Sequence, residues 1–273
     1  FFFSLNYFSQ TNIFSMAIRT EPLYILYGSQ TGNSEEQAKD FCKQLKEKFT
    51  LSYFRQHDLT PVKVETTCIQ LDDFLDYHHA AFTKILVIFV SSYGVGQAPI
   101  GSYKFRSFAD ELLSLVETNK GGDSVTLLKG LQYALCGLGD SAYTTYLVNP
   151  TTIDKGLTAV GATRIGEMGK ADANAKKIRN EAQDKVIARW KEQLYFPLAK
   201  ALSVPDDTAK NVKEMQADTI QILMKLDPDY IPPNEFLKKM SNTRGIPVFF
   251  LILGLIVALV AILLVASSTI KSN

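Results

Sequence analysis

From residue 23 to residue 197 the chain alternates short, unbroken apolar runs with longer stretches whose apolar residues recur every three or four positions. The first run, 23–27 (LYILY), is closed by Gly28 and reads as a strand. Residues 33–49 follow with helical periodicity, placing Ala38, Phe41, Cys42, Leu45 and Phe49 on one face. Residues 62–71 alternate in part and predict a second strand. Residues 84–91 (KILVIFVS) are rich in β-branched side chains, the mark of a strand covered on both faces. Beyond them the pattern predicts a helix over 103–116, a strand over 131–136, a helix over 150–160 and a short strand over 162–165. A long charged helix over 173–195 carries the only tryptophan, Trp190. The stretch 72–83 is ambiguous as a further helix. The order β-α-β-β-α-β-α-β-α predicts an α/β domain with a parallel sheet covered on both sides. No internal repeat is visible.

The two ends follow other patterns. Residues 248–266 (VFFLILGLIVALVAILLVA) are 19 positions without a charge or a strongly polar group. As a helix they extend about 28 Å, enough for a bilayer core of roughly 30 Å. A buried core helix is the alternative, but a uniformly apolar run of this length with no polar face favours the membrane. We therefore expect a transmembrane helix within 247–269. Lys238, Lys239 and Arg244 precede it and only Lys271 lies beyond, so the positive-inside rule puts the upstream chain in the cytosol. With seven residues after the run, the expected layout is that of a tail-anchored protein. Residues 203–246 are polar and read as a linker or stalk, with one more helix expected at 206–226. Residues 1–15 are uncharged, and Ser4, Asn6, Ser9, Gln10 and Asn12 break the apolar run that a signal peptide needs. The segment 1–20 is read as an upstream or leader stretch without fixed structure, with Met16 as the expected start; a cleaved targeting peptide is the alternative.

Composition narrows the chemistry. Lys+Arg number 29 and Asp+Glu 28, a net charge of +1, which excludes a global electrostatic grip on nucleic acid. Cys42, Cys68 and Cys136 are widely spaced and form no C-x-x-C, against a zinc ribbon, an iron–sulfur cluster or a disulfide scaffold. Three histidines, His57, His78 and His79, do not suggest a metallohydrolase. Reduced cysteines and the absence of a glycosylation sequon fit a cytosolic face.

In an open parallel sheet, ligands sit beyond the carboxyl ends of the strands. After the first strand comes Gly28-Ser29-Gln30-Thr31-Gly32-Asn33-Ser34, rich in hydroxyls and leading into a helix start. Unpaired N–H groups and the positive dipole end there favour a phosphate. The G-K-[ST] of a P-loop is missing, so the loop suits a terminal monophosphate held by neutral donors. After the third strand come Ser91-Ser92-Tyr93-Gly94-Val95-Gly96-Gln97, and after the fourth Gly137-Leu138-Gly139-Asp140-Ser141-Ala142-Tyr143. Each joins an aromatic ring to turning glycines. Together the loops imply a flat, aromatic, singly phosphorylated ligand. Gly137-x-Gly139-x-x-Ala142 also matches a dinucleotide fingerprint, but on a late strand. Gly139-Asp140-Ser141 resembles a serine-hydrolase block, yet no histidine lies downstream of it.

On YGSQTGNSEE (27–36), SSYGVGQAP (91–99), CGLGDSAY (136–143), GATRIGEMGKADAN (161–174) and the Trp190 helix, residues 23–197 resemble the FMN domain of diflavin reductases, such as NADPH–cytochrome P450 reductase and the sulfite reductase flavoprotein. The resemblance implies a flavodoxin-like, doubly wound, five-stranded parallel sheet over 21–202 that binds FMN without a covalent link. It implies that Ser29, Gln30, Thr31, Gly32, Asn33 and Ser34 hold the phosphate. Tyr93 and Tyr143 would flank the isoalloxazine ring, with Ser92 and Gly96 shaping the Tyr93 loop. Gly94 would turn its carbonyl toward flavin N5 on one-electron reduction. Residues 137–146, with Gly137, Leu138, Gly139, Asp140 and Tyr146 singled out among them, would wrap the pyrimidine side. The family's second loop reads Gly-Glu-Gly-Asp-Pro; here Val95 and Gln97 stand at the acidic positions and Ala98 is an extra residue. The later acidic cluster is reduced to Lys170, Ala171 and Asp172.

The expected protein is thus a single-pass membrane flavodoxin-like protein facing the cytosol, on the endoplasmic reticulum or the mitochondrial outer membrane; its weakly charged tail leans to the former. It relays single electrons from a separate FAD- and NAD(P)H-binding reductase to a membrane-associated redox protein. The alternative is a membrane-tethered subunit or scaffold on the same fold without redox activity. A quinone reductase fed directly by NAD(P)H is a weaker alternative, because no nicotinamide site can be named.

Overall fold

The strands run where β-branched and aromatic residues cluster, and the helices where apolar residues recur at helical spacing. In the computed structural model, which describes residues 18–75, 85–119, 126–205 and 209–230, this pattern gives the following order. β1 is Arg19–Gly28, α1 Asn33–Lys48, α2 Leu51–Gln56, β2 Val62–Gln70, α3 Leu71–Asp73 and β3 Ile85–Ser91. α4 is Tyr103–Thr118, β4 Gln132–Gly139, α5 Val148–Ala159, β5 Thr163–Arg164 and β6 Gly169–Asp172. α6 is Ala175–Arg179, α7 Gln183–Ser203 and α8 Ala209–Leu226.

All strand pairs are parallel, in the order β2-β1-β3-β4-β5, with β6 also paired to β4. β1 pairs with β2 from Arg19↔Val62 to Tyr27↔Gln70, so the first strand is longer than its apolar run. The expected fifth strand is divided. β5 pairs with the start of β4 at Gln132 and Tyr133, and β6 with its end from Cys136 to Gly139. Gly166, at φ +68°, lies between the two pieces, and the Trp190 indole N–H donates to Glu167 O at 2.9 Å.

Six consecutive residues of β3, Ile85 to Val90, are buried, as a central parallel strand requires. On one face Ile25, Val87, Phe89 and Cys136 pack with Phe41 and Leu45 of α1 and with Trp190, Leu194 and Leu198 of α7. The Phe89 and Trp190 rings meet edge to face at 5.4 Å. α4 and α5 pack against each other, and α5 packs on β3 and β4. Their approach is close: a side chain at Gly156 of α5 would begin 2.7 Å from Ala109 O of α4. Arg19 closes the domain by donating from Nη2 to Leu202 O (2.8 Å) and Val204 O (3.0 Å), which caps α7 with the start of β1.

Three elements differ from the sequence reading. α2 is a separate short helix started by Thr50, whose Oγ1 accepts from the Tyr53 N–H at 3.2 Å. The helix expected over 173–195 is two helices, because Asn180 takes a left-handed conformation at φ 52° between α6 and α7. β4 continues through Gly137 to Gly139, residues read as loop. The expected stalk contains α8. The chain divides into two units between Thr219 and Ile220, within α8. No described helix is long and apolar enough to cross a membrane. The leader 1–15 and the apolar run 248–266 lie outside the described residues.

Candidate functional site

β1 and β3 are neighbours in the sheet, but their following helices go to opposite faces. A crevice must open between the two outgoing chains, and it does so beyond the carboxyl ends of β1, β3 and β4. It encloses about 400 Å³ and is lined by residues of all three following loops, joined by Ala173 and Gln183. That volume suits a small cofactor.

The first loop is drawn tight. Gly28 lies against Ser102, so that a Cβ there would stand 2.6 Å from Ser102 Cβ, and the Ser29 N–H donates to Ile100 O at 3.0 Å. Gly32 precedes α1 in a left-handed conformation, φ 91°, that a side chain would resist. The first-turn N–H groups of α1 have no intrahelical acceptor. Ser34 is 1% exposed. Its Oγ and the Oε1 of Gln30 are buried without a hydrogen-bond partner. Asp140 is the only charged residue among those lining the cleft. The nearby Glu35 carboxyl is held below the usual carboxylate range, first by the hydrogen bond from Lys39 Nζ at 2.5 Å. Lys39 is thereby engaged outside the cleft, and the donors of the first loop that face the cleft are neutral.

The second loop is a tight turn. Tyr93 and Gln97 exchange backbone hydrogen bonds of 3.1 and 2.8 Å, with Gly94 at φ 52° and Gly96 at φ 89°. Asn149, fully buried at the start of α5, supports its base. The Asn149 N–H donates to Ser92 Oγ (3.0 Å), its Nδ2 to Ser91 O (2.9 Å), and its Oδ1 accepts from Arg106 Nη1 (3.3 Å). The third loop is held from the end of β6, where Asp172 is 2% exposed. Its Oδ1 accepts from the Ser141 and Asn174 N–H groups, each at 2.9 Å. Gln183 links the loops: Oε1 accepts from Asn33 Nδ2 (2.9 Å) while Nε2 donates to Ala171 O (2.9 Å) and Gly139 O (3.4 Å). Tyr93 and Tyr143 line the cleft with rings 49% and 65% exposed, open to a flat ligand.

Of the residues named from sequence, Ser29, Gln30, Thr31, Asn33, Ser34, Ser92, Tyr93, Gly94, Leu138, Gly139, Asp140, Tyr143 and Tyr146 line this cleft. Gly32, Gly96 and Gly137 do not. Gly32 and Gly96 turn the backbone behind it, while Gly137 gives up its side-chain space to Pro150, Met168 and Leu147. Ser91, Thr145 and Ala173 also line it; they lie within the stretches read from sequence (91–99, 137–146 and 161–174) without being named as site residues. Gln183, at the start of α7, lines it and was missed: its signal is only its place at a helix start, in an otherwise ordinary residue type. The dinucleotide reading fails because β4 includes Gly139 and the next helix begins only at Val148, leaving no helix start at the motif. The hydrolase reading gains nothing from His57, whose ring packs on Tyr53 at 4.3 Å in α2. His78 and His79 lie outside the described residues.

A doubly wound parallel sheet whose switch-point cleft joins a lysine-free, hydroxyl-rich loop at a helix start to two exposed aromatic residues has the build of a mononucleotide-binding domain. The flavodoxin family model matches residues 25–185, more than half of the chain, and the chain belongs to the flavodoxin family. It is 29% identical over 193 residues to NADPH–cytochrome P450 reductase of Saccharomyces cerevisiae, covering 70% of this chain and 24% of that protein. It is 32% identical over 190 residues to methionine synthase reductase of Caenorhabditis elegans, again 70% of this chain and 24% of the relative. The chain thus spans about a quarter of the length of the curated relatives it matches. Among solved structures, a cysteine-to-serine mutant of flavodoxin from Pseudomonas aeruginosa aligns at 20% identity and TM-score 0.43, over 67% of this chain and 99% of that one. Flavodoxins and diflavin reductases hold FMN, and the domain described here is a flavodoxin-like FMN electron-transfer domain. The buried, unpartnered Ser34 Oγ and Gln30 Oε1 fit that cofactor, since a phosphorylated polyol offers both an acceptor and donors.

Proposed function

We propose that this protein is a membrane-anchored FMN carrier that relays single electrons from a separate FAD- and NAD(P)H-binding reductase to a membrane-associated redox protein. The observation that carries the reading is the pair of buried, unpartnered polar atoms, Ser34 Oγ and Gln30 Oε1, in a cleft walled by Tyr93 and Tyr143. A buried hydroxyl left unpaired costs about 1–3 kcal/mol, a cost a ligand would remove.

Bound FMN supplies oxidation–reduction chemistry in steps of one electron. The chain's part is to hold and orient it. The α1 N–H groups and the hydroxyls of Ser29, Thr31 and Ser34 bind the phosphate dianion, each charge-assisted hydrogen bond contributing about 1.5–3 kcal/mol. Tyr93 and Tyr143 hold the ring and shield its faces from water. Gly94 carries no side chain, so its peptide meets no Cβ penalty in reorienting beside the ring, although that move gives up the hydrogen bond from Thr145 Oγ1 to Gly94 O. The reductase partner is inferred from the names of the relatives, which are reductases.

The membrane assignment is supported by the uncharged run 248–266, and the cytosolic orientation by Lys238, Lys239 and Arg244 before it. Val95, 79% exposed, stands where the resembled family carries an acid, and Asp172 is engaged internally, so docking here leans less on carboxylates. The test is the absorbance spectrum of the full chain purified in detergent, with the released flavin identified. FMN in about equimolar amount supports the reading. A chain that neither carries nor takes up FMN overturns it and leaves the scaffold alternative. Protease added to sealed microsomes or mitochondria removes the flavodoxin-like domain if it faces the cytosol; a protected domain refutes that orientation.

A further inference from the structure

Tyr93 and Tyr143 belong to different loops, and neither ring packs on another aromatic ring among the described residues. Their separation therefore depends on what ties the loops together. At its base the Tyr93 turn is secured by Asn149 and by the Ser92 N–H, which donates to Leu138 O at 3.1 Å. Beyond Ser92 the turn bonds mostly to itself. Among the described residues, two hydrogen bonds hold its tip to other elements. Arg106 Nη1 reaches Gly96 O at 3.5 Å, the limit of a hydrogen bond. Thr145 Oγ1 donates to Gly94 O at 3.0 Å. Thr145 lies two residues after Tyr143, so this bond joins one aromatic wall to the other. Thr145 also lies close to the turn: a Cβ added at Gly96 would stand 3.4 Å from Thr145 Cβ.

We propose that Thr145 is a positioning residue: its hydroxyl, by tying the Tyr93 turn to the Tyr143 loop, sets the width of the slot that receives a planar ring. The inference rests on the reading of the cleft as an FMN site. Thr145 acts on the ring slot and not on the phosphate cradle, which belongs to the β1–α1 loop. Without its donor the tip is left to the long Arg106 bond, and the Tyr93 wall drifts relative to Tyr143. Ordering the slot then falls to the ligand, which lowers affinity for any isoalloxazine, phosphorylated or not.

The test compares FMN and riboflavin binding to the full chain stripped of flavin, read by flavin fluorescence. Thr145→Val keeps the shape and removes the donor; Thr145→Ser keeps the donor. One lost hydrogen bond predicts that Thr145→Val weakens FMN and riboflavin by the same factor, about two- to tenfold. Thr145→Ser stays within about twofold of wild type by the same reasoning. Should the valine variant not fold, Thr145→Ala, which adds no atom, carries the same expectation. In the flavin-free chain, amide exchange at Gly96 and Gln97 speeds up with the donor gone. Unchanged binding by the valine variant, a loss confined to FMN, or a serine variant as weak as valine overturns the proposal while the FMN reading stands. A wild-type chain that takes up neither flavin overturns both.

Discussion

The unpartnered hydroxyl of Ser34 leads to a prediction with opposite signs in two states of the protein. Ser34→Ala removes a polar atom that is buried and unsatisfied in the flavin-free domain. Leaving such a group unpaired costs about 1–3 kcal/mol, and alanine is the better helix former, so the flavin-free variant gains about 1 kcal/mol. For a domain of this size that raises the melting temperature by about 2–4 °C. With FMN the same change removes a donor to a dianion, worth about 1.5–3 kcal/mol, and weakens binding about 10- to 150-fold. At FMN one hundred times the wild-type Kd, linkage stabilises wild type by about 2.7 kcal/mol. A variant weakened about thirtyfold gains only about 0.9 kcal/mol by the same relation. The melting order therefore inverts: the variant melts above wild type without FMN and below it with FMN. Riboflavin, lacking the phosphate, produces no inversion. Thermal melts with no flavin, with FMN and with riboflavin give the answer. A variant less stable than wild type in all three refutes the argument that Ser34 is held in reserve for a ligand.

Three further outcomes follow from other contacts. Gly156→Ala improves helix propensity by about 1 kcal/mol, but its Cβ meets the α4 backbone at Ala109 O, 2.7 Å away, so overpacking of about 1–3 kcal/mol prevails and the urea midpoint falls; a rise would show that α4 and α5 separate freely. Val95→Glu with Gln97→Asp lowers the potential of the second one-electron reduction of bound FMN, by at most roughly 2 kcal/mol per charge at about 8 Å before screening; a potentiometric titration with unchanged potentials would refute the role assigned to the missing acids. Burial pushes the Cys68 and Cys136 thiols up to about 12 from 9.0. Their contribution to stability is whole below pH 9 and is lost as pH rises from about 9 towards 12, because the unfolded thiols ionise first. Urea midpoints that stay flat across that interval would contradict it.

The regular part of this fold is legible in the sequence because one period prevails in each segment. The apolar run of β3 admits no amphipathic helix, and the stripe through Phe41, Cys42 and Leu45 admits no strand. What escaped is set by contacts distant in sequence. The division of β5 from β6 depends on β4 and on the Trp190 indole reaching Glu167 O. α2 is six residues long, too short for a periodic signal, and starts on the Thr50 cap. In the cleft, hydroxyls and glycines after strand ends are visible as a pattern. Gln183 and Thr145 gain their places only from the chains they bridge, Asn33 with Gly139 and Tyr143 with Gly94. Gly137, read as loop, is strand because it pairs with Val90 of β3 and Lys170 of β6, and Pro150, Met168 and Leu147 leave room there only for glycine.

The divided fifth strand also bears on self-association. A sheet edge is a row of unpaired N–H and C=O groups on which another chain can build. Here the edge beyond β4 offers two residues in β5 and four in β6, separated by the turn at Gly166 and by Glu167, whose carbonyl the Trp190 indole already occupies. Neither piece is long enough to template a stable ladder. An unbroken edge would invite pairing between neighbouring copies. Among the described residues, the break leaves no continuous strand on the β4 side for a second copy to pair with.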